Sequence, residues 1–178
     1  MKKLVMVING RGGVGKDTLC DFAAAYFRVR NVSSITPVKE LAAQCGWAGE
    51  KTDRARKFLS DLKALLIAYN DYPTRWATEQ YRAFLAGEEQ IMFLHIREGA
   101  EIAKFVAATG GRARTLLVRA GNRAADRGAA FGNVSDDDVE NYAYDYYYTN
   151  DLPLAEAGRS FVSFLADIYE RDGADLTE

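Results

Sequence analysis

The 178-residue chain holds only two cysteines, three prolines and one histidine. Cys20 and Cys45 cannot build a disulfide framework, so a reducing, cytoplasmic setting is the default expectation. A lone histidine, His95, excludes a metal cluster built from several imidazoles. No proline interrupts a long periodic segment, and no Ser/Gly-rich linker, repeat or low-complexity tract divides the chain. A single domain over residues 1–178 is therefore expected. No apolar run approaches the roughly 20 residues that a membrane span needs. The start, MKKLVMVING, has an apolar stretch of only residues 4–8 before Asn9 and Arg11. It reads as a first strand rather than a signal peptide. Neither sign of charge dominates: 23 Lys and Arg against 25 Asp and Glu leave a net charge of −2. That balance argues against a nucleic-acid coat and against a polybasic membrane binder, so neither nucleic acid nor membrane is an expected partner. It permits a local anion site. With 48% hydrophobic and 27% charged residues, the chain can bury enough surface to fold.

What is present alternates between two patterns. Residues 4–8 form a short continuous apolar run bounded by Asn-Gly, as in a strand buried on both faces. Residues 16–28 carry Leu19, Phe22, Ala23, Tyr26 and Phe27 at helical spacing. A weak strand over 32–36 precedes a short helix after Pro37. The clearest helical signal covers 53–69, where Ala55, Phe58, Leu59, Leu62, Leu65, Leu66 and Tyr69 form one stripe. A helix over 74–86, a strand over 91–96, a helix over 98–108 and a strand over 114–118 follow. Residues 120–138 are loop-like. A last strand spans 144–149 and a last helix 154–169. Strands alternating with helices predict an α/β domain with a five-stranded parallel sheet covered on both faces.

The first strand runs into Gly10-Arg11-Gly12-Gly13-Val14-Gly15-Lys16-Asp17-Thr18, and a helix follows. Glycine, four residues, then Gly15-Lys16 is the spacing of the Walker A phosphate loop. Its glycines let backbone N–H groups turn inward around a phosphate, and the helix start adds partial positive charge. Lys16 reaches the β- and γ-phosphates. The cofactors expected are ATP and Mg²⁺. Asp17 stands where Ser or Thr usually offers a hydroxyl to the metal. Its carboxylate either holds Mg²⁺, with Thr18 supplying the hydroxyl, or merely complements the helix dipole.

Arginines mark the rest of the candidate site. Arg97 follows a strand, and in a parallel α/β sheet ligands bind at the carboxyl ends of strands. Arg54 and Arg56 are candidates for a cleft pair, with Arg75, Trp47 and Trp76 in the same insertion between the second and third strands. Five arginines, Arg112, Arg114, Arg119, Arg123 and Arg127, face one acid, Asp126, before an acidic block begins at Asp136. Arg119 ends a strand. Arg123 and Arg127 share one side if that segment makes a helical turn. His95 either packs as a hydrogen-bonded core residue at the sheet edge or contacts substrate. The tyrosines between 142 and 148 read mostly as strand residues.

Two family resemblances follow from these motifs. Residues 11–16 resemble the deviant Walker loop of partition ATPases, with Arg11 where those carry a signature lysine. The alternative function is accordingly a nucleotide-binding switch acting through a protein partner. The second resemblance covers nearly the whole chain. Gly15-Lys16-Asp17-Thr18, the basic helix 51–63, Phe93-Leu94-His95-Ile96-Arg97-Glu98 and the segments 141–147 and 149–150 together resemble phage-type deoxynucleoside monophosphate kinases and animal-type phosphomevalonate kinases. His95 departs from that pattern, occupying the place of a metal-holding Asp. The resemblance implies a three-layer P-loop fold with strand order 2-3-1-4-5. It also implies an acceptor-binding insertion over about 37–90 and a lid over about 120–138. The implied activity is phosphoryl transfer from ATP to a small phosphorylated acceptor, a (deoxy)nucleoside monophosphate first, by a monomer or homodimer. Arg97 would hold the acceptor phosphate, and Lys16, Arg119, Arg123 and Arg127 would act on the transferred group.

Overall fold

The structure is a computed structural model describing residues 1–121 and 138–175. Its elements run β1 (Lys2–Asn9), α1 (Lys16–Ala24), β2 (Val29–Ser33), α2 (Thr36–Gln44), α3 (Asp53–Asn70), α4 (Tyr72–Ala86), β3 (Ile91–His95), α5 (Gly99–Ala108) and β4 (Arg114–Ala120). A 3₁₀ turn (Asp138–Asn141), β5 (Tyr146–Asn150), α6 (Leu154–Asp172) and β6 (Ala174–Asp175) complete them. The main sheet is parallel in the order β2-β3-β1-β4-β5. The expected five strands are joined by a sixth: two-residue β6 lies antiparallel to Lys2 and Lys3. It forms because Gly173 ends α6 and turns the chain back along β1, where the Met1 ammonium meets Asp175 at 3.1 Å.

Side chains along β1 are buried almost throughout and alternate between two covered faces, as a strand between two helical layers requires. Leu4, Met6 and Ile8 pack with Leu19 and Ala23 of α1 and Phe161 and Leu165 of α6. Val5 and Val7 point the other way, to Tyr81 and Phe84 of α4 and Ile102 and Phe105 of α5. Lys3 belongs to this second face and is only 1% exposed. Its ammonium donates to the carbonyls of Phe84 (2.8 Å), Gly87 (2.8 Å) and Glu89 (2.9 Å). These carbonyls lie at and beyond the C-terminus of α4, where a helix leaves acceptors without internal partners. One buried cation thus fastens the end of α4 to β1.

Several boundaries differ from the periodicity. α1 stops at Ala24 rather than 28, because Tyr26 and Phe27 turn back to bond the Ala23 carbonyl. β2 begins at Val29 rather than 32, since Val29 and Arg30 pair beside Ile91 and Met92. β5 begins at Tyr146 rather than 144, because Tyr144 serves as a buried anchor ahead of the strand. The largest difference concerns α3. The helix forms where expected and Thr52 caps it, its hydroxyl accepting from the Ala55 N–H at 3.2 Å. Yet only Ala55 is buried, while Leu65 is 66% and Tyr69 81% exposed.

Candidate active site

The end of β1 leads directly into the glycine loop, and the side chains of Asn9 and Asn150 fix it there. Asn9, fully buried, accepts from the Gly10 N–H through Oδ1 at 2.8 Å. Its Nδ2 donates to the Arg97 carbonyl at 2.9 Å and to the Tyr144 hydroxyl at 2.8 Å. Tyr144 passes the connection on by donating to the Val139 carbonyl at 2.9 Å. From the far edge of the sheet, Asn150 Nδ2 donates to the Val14 carbonyl at 2.9 Å. Glycine is required at two places in the loop. A Cβ on Gly10 would lie 2.6 Å from the Val118 carbonyl oxygen of β4. Gly15 caps α1 with a left-handed φ of 84°, and a Cβ there would meet Asn150. Lys16 is the first residue of α1, at the positive end of its dipole.

Two cavities flank this loop. The larger, 1420 Å³, opens beyond the carboxyl ends of β1, β2 and β3. Six cations line it, Lys16, Lys39, Arg56, Lys57, Lys63 and Arg97, against two carboxylates, Asp17 and Glu98. Part of that charge is already matched: Lys63 pairs with Glu98 at 2.5 Å and Lys57 with Asp61 at 2.7 Å. Lys16 and Lys39 make no ion pair among the described residues, and they leave the field of the cleft positive. The smaller cavity, 420 Å³, lies on the other side of the loop, between Gly13, Gly15 and Thr18 and the segment that follows β5.

His95 ends β3 on the floor of the large cleft. Its Nε2 hydrogen-bonds Asn31 Oδ1 at 2.8 Å, and its Nδ1 stands 3.6 Å from Asp17. Burial lowers its pKa below the usual value; Asp17 opposes that effect and Lys16 adds to it. The ring is consequently neutral at pH 7. The side chain is 85% shielded and hydrogen-bonded, as the core reading expects, and it also lines the cleft.

Asp17 is the one carboxylate on the loop side of this cleft, with its side chain 80% exposed. No group of three or more acidic, histidine or cysteine side chains suited to a metal occurs among the described residues. Mg²⁺ does not need one, since it keeps several waters and takes one or two carboxylates together with substrate phosphates. Asp17, on the large cleft, fits that sparse demand, while Thr18 lines the smaller cavity. Asp17→Asn is expected to raise the Mg²⁺ concentration for half-maximal turnover several-fold. Metal-free nucleotide binding should hold or improve, because a negative charge near the phosphates has gone. A magnesium titration of both proteins checks this, and an unaltered requirement would reduce Asp17 to a first-turn helix residue.

The other expected site residues divide. Arg97 and Arg56 line the cleft, as does Lys57, which the sequence did not single out; Arg54, Arg75, Trp47 and Trp76 do not. Trp76 packs half-buried against the α4–α5 core, and Trp47 Nε1 donates to the Glu50 carbonyl at 3.1 Å. Arg119 lines neither cavity. Glu140 holds it at 2.7 Å, with the guanidinium 4.6 Å from the centre of the Tyr147 ring. Arg123 and Arg127, with most of the expected lid, lie outside the described residues. The sequence reading passed over Asn9, Asn31, Lys39, Lys63 and Tyr144. Only Asn9 carried a signal, a polar residue in phase with the buried face of β1.

No family model and no curated protein matches this chain. Solved structures do. A tunicamycin resistance protein from Deinococcus radiodurans aligns over 92% of this chain and 95% of its own, with 11% identity and a TM-score of 0.55. Shikimate kinase from Aquifex aeolicus aligns over 92% of this chain and 96% of its own, with 9% identity and a TM-score of 0.50. At such identities the likeness is one of fold. The parallel 2-3-1-4-5 sheet with helices on both faces, entered through a Walker-type loop, is the P-loop fold that these structures share.

Proposed function

We propose that the protein transfers a phosphoryl group from a nucleoside triphosphate, ATP in the first instance, to a small phosphorylated acceptor. A (deoxy)nucleoside monophosphate heads the candidates. The observation that carries this reading is the placement of the glycine loop between two cavities, with Lys16 on the larger one, which six cations line. Phosphoryl transfer requires two anionic groups to be brought together and their repulsion neutralised, with little covalent work by the protein. Lys16 and the loop N–H groups would hold the donor phosphates. Arg97, with Lys39 and Arg56, would hold the acceptor's phosphate. Mg²⁺, held by Asp17 and Thr18, would neutralise charge on the donor. Arg119, Arg123 and Arg127 would serve the transferring group, Arg119 after exchanging Glu140 for phosphate.

The test is release of nucleoside diphosphate from ATP with and without a panel of acceptors: deoxy- and ribonucleoside monophosphates, sugar phosphates, and unphosphorylated sugars and acids. A kinase with a phosphorylated acceptor should respond to one class of phosphomonoester by about 10²-fold or more over its basal hydrolysis. Slow hydrolysis that no acceptor stimulates would replace this reading by the nucleotide switch.

A further inference from the structure

The outer side of α3 is a surface to which the reading above gives no task. Successive residues of a helix turn by roughly 100°, which sorts its side chains into faces. One face, with Arg56, Ser60 and Lys63, lines the large cleft. The next turns inward: Ala55 is buried, and Leu62 and Leu66 are half-buried. Beyond it, on the outside, lie the exposed Phe58, Leu65 and Tyr69. Together with Leu62 they form a row, Phe58, Leu62, Leu65, Tyr69, at intervals of four, three and four residues. That is the spacing of a seam along which two helices pack side by side.

The order of residues along the seam points to its occupant. Read in either direction it runs aromatic, leucine, leucine, aromatic. A second copy of α3 laid antiparallel therefore sets leucine against leucine at the centre and aromatic against aromatic at each end. Such self-complementarity is what a two-fold contact between identical chains requires. Charge selects the same orientation. Arg54, Arg56 and Lys57 crowd the start of α3, whereas residues 64–70 carry no charge. A parallel copy would stack the basic turns on each other. An antiparallel copy lays each basic turn beside the C-terminal end of the other helix, where the dipole is negative. Arg54, Asp61 and Ala68, all exposed, edge the seam on its open side.

We propose that the protein forms a two-fold dimer by antiparallel packing of α3 against α3 of a second copy. The exposed aromatic and leucine side chains bare roughly 400 Å², as much as the largest apolar patch of a typical monomer. With the edge residues included, two copies would bury roughly 1,200 Å², the lower limit of a stable interface. Each helix is already folded within its own chain, so a short seam carries no cost of helix formation. The seam lies roughly 150° around the helix from the cleft face, so both clefts of the dimer stay open. Of the monomer and homodimer that the sequence left open, this selects the second. The inference stands independently of the proposed chemistry.

The experiment is sedimentation velocity of the full chain between about 1 and 300 µM, where an interface of this size should give a dissociation constant on the order of 10 µM. The double variant Leu65→Asp with Tyr69→Asp should remain monomeric throughout. It should also melt like the wild type, since both side chains are exposed. Orientation is read separately in a Cys45→Ser background, which removes the exposed native thiol. Phe58→Cys protein mixed with Tyr69→Cys protein should be joined by a short bismaleimide faster than either protein alone. That readout does not depend on the double variant folding. A wild type that stays monomeric at about 300 µM, or a dimer that survives the double substitution in folded protein, would overturn the interface. Cross-linking of Phe58→Cys protein to itself in preference would overturn the antiparallel pairing.

Discussion

Lys16→Ala is expected to remove phosphoryl transfer almost completely and to leave the fold unchanged. The side chain starts α1 at the mouth of the large cleft and takes no part in either core cluster. Alanine propagates a helix at least as well as lysine, so α1 should keep its stability. What disappears is a preorganised cation aimed at developing charge on the phosphates. Removing one such group costs roughly 10²–10³ in turnover in comparable sites. Diphosphate release at saturating acceptor, alongside a thermal melt, measures both halves. A folded variant that turns over at the wild-type rate would remove the loop from the reaction.

The second large effect is expected at Asn9. Asn9→Leu keeps approximately the volume of the side chain and deletes three hydrogen bonds at once. The Gly10 N–H and the Arg97 carbonyl lose their Asn9 partner next to a fully buried position. Leaving a buried polar group unmatched costs roughly 1–3 kcal/mol, so a loss of about 2–4 kcal/mol in urea unfolding is expected. The same change releases the first glycine of the loop and the backbone of Arg97 from their common anchor. Nucleotide affinity and acceptor KM should therefore deteriorate together, whereas a purely structural lesion would lower the melting point alone. Asn9→Asp is the informative companion: it keeps the acceptor for Gly10, loses the donor, and places a charge at a fully buried position.

These two residues show what a sequence of this kind makes legible. Lys16 is visible because its neighbours form a spacing with few other uses. Asn9 is hidden because Asn before Gly has an ordinary meaning, the end of a strand, and that meaning is also correct here. Lys3 is hidden in the same way: a lysine among the first residues looks like a solvated flank, and only its phase with Val5 and Val7 hints at the buried face. The strand order came from resemblance to a family rather than from periodicity, which is local and blind to which strands become neighbours. The cleft cations from α2 and α3, Lys39 and Lys63, could not be chosen in advance. A helical lysine reaches solvent on most faces, and selecting one needs the packing angle of the helix against the sheet. The periodic stripe of α3 located the helix correctly and left its burial open, because periodicity reports that a face is apolar without reporting what covers it.

That helix has a mechanical consequence. The large cleft is bounded on one side by the ends of β1 and β3, whose side chains are almost wholly buried. On the other side it is bounded by α3, which contributes Arg56, Lys57 and Lys63 but buries only Ala55. Local opening free energy follows buried contact, so the two walls differ in stiffness. The sheet wall behaves as an anvil and α3 as the compliant jaw. On the proposed function, the cations on α3 settle onto the acceptor at little elastic cost, while Lys16 and Arg97 keep their spacing on the rigid side. Such a cleft tunes its grip by the position of one helix and leaves the geometry of the transfer to the strands.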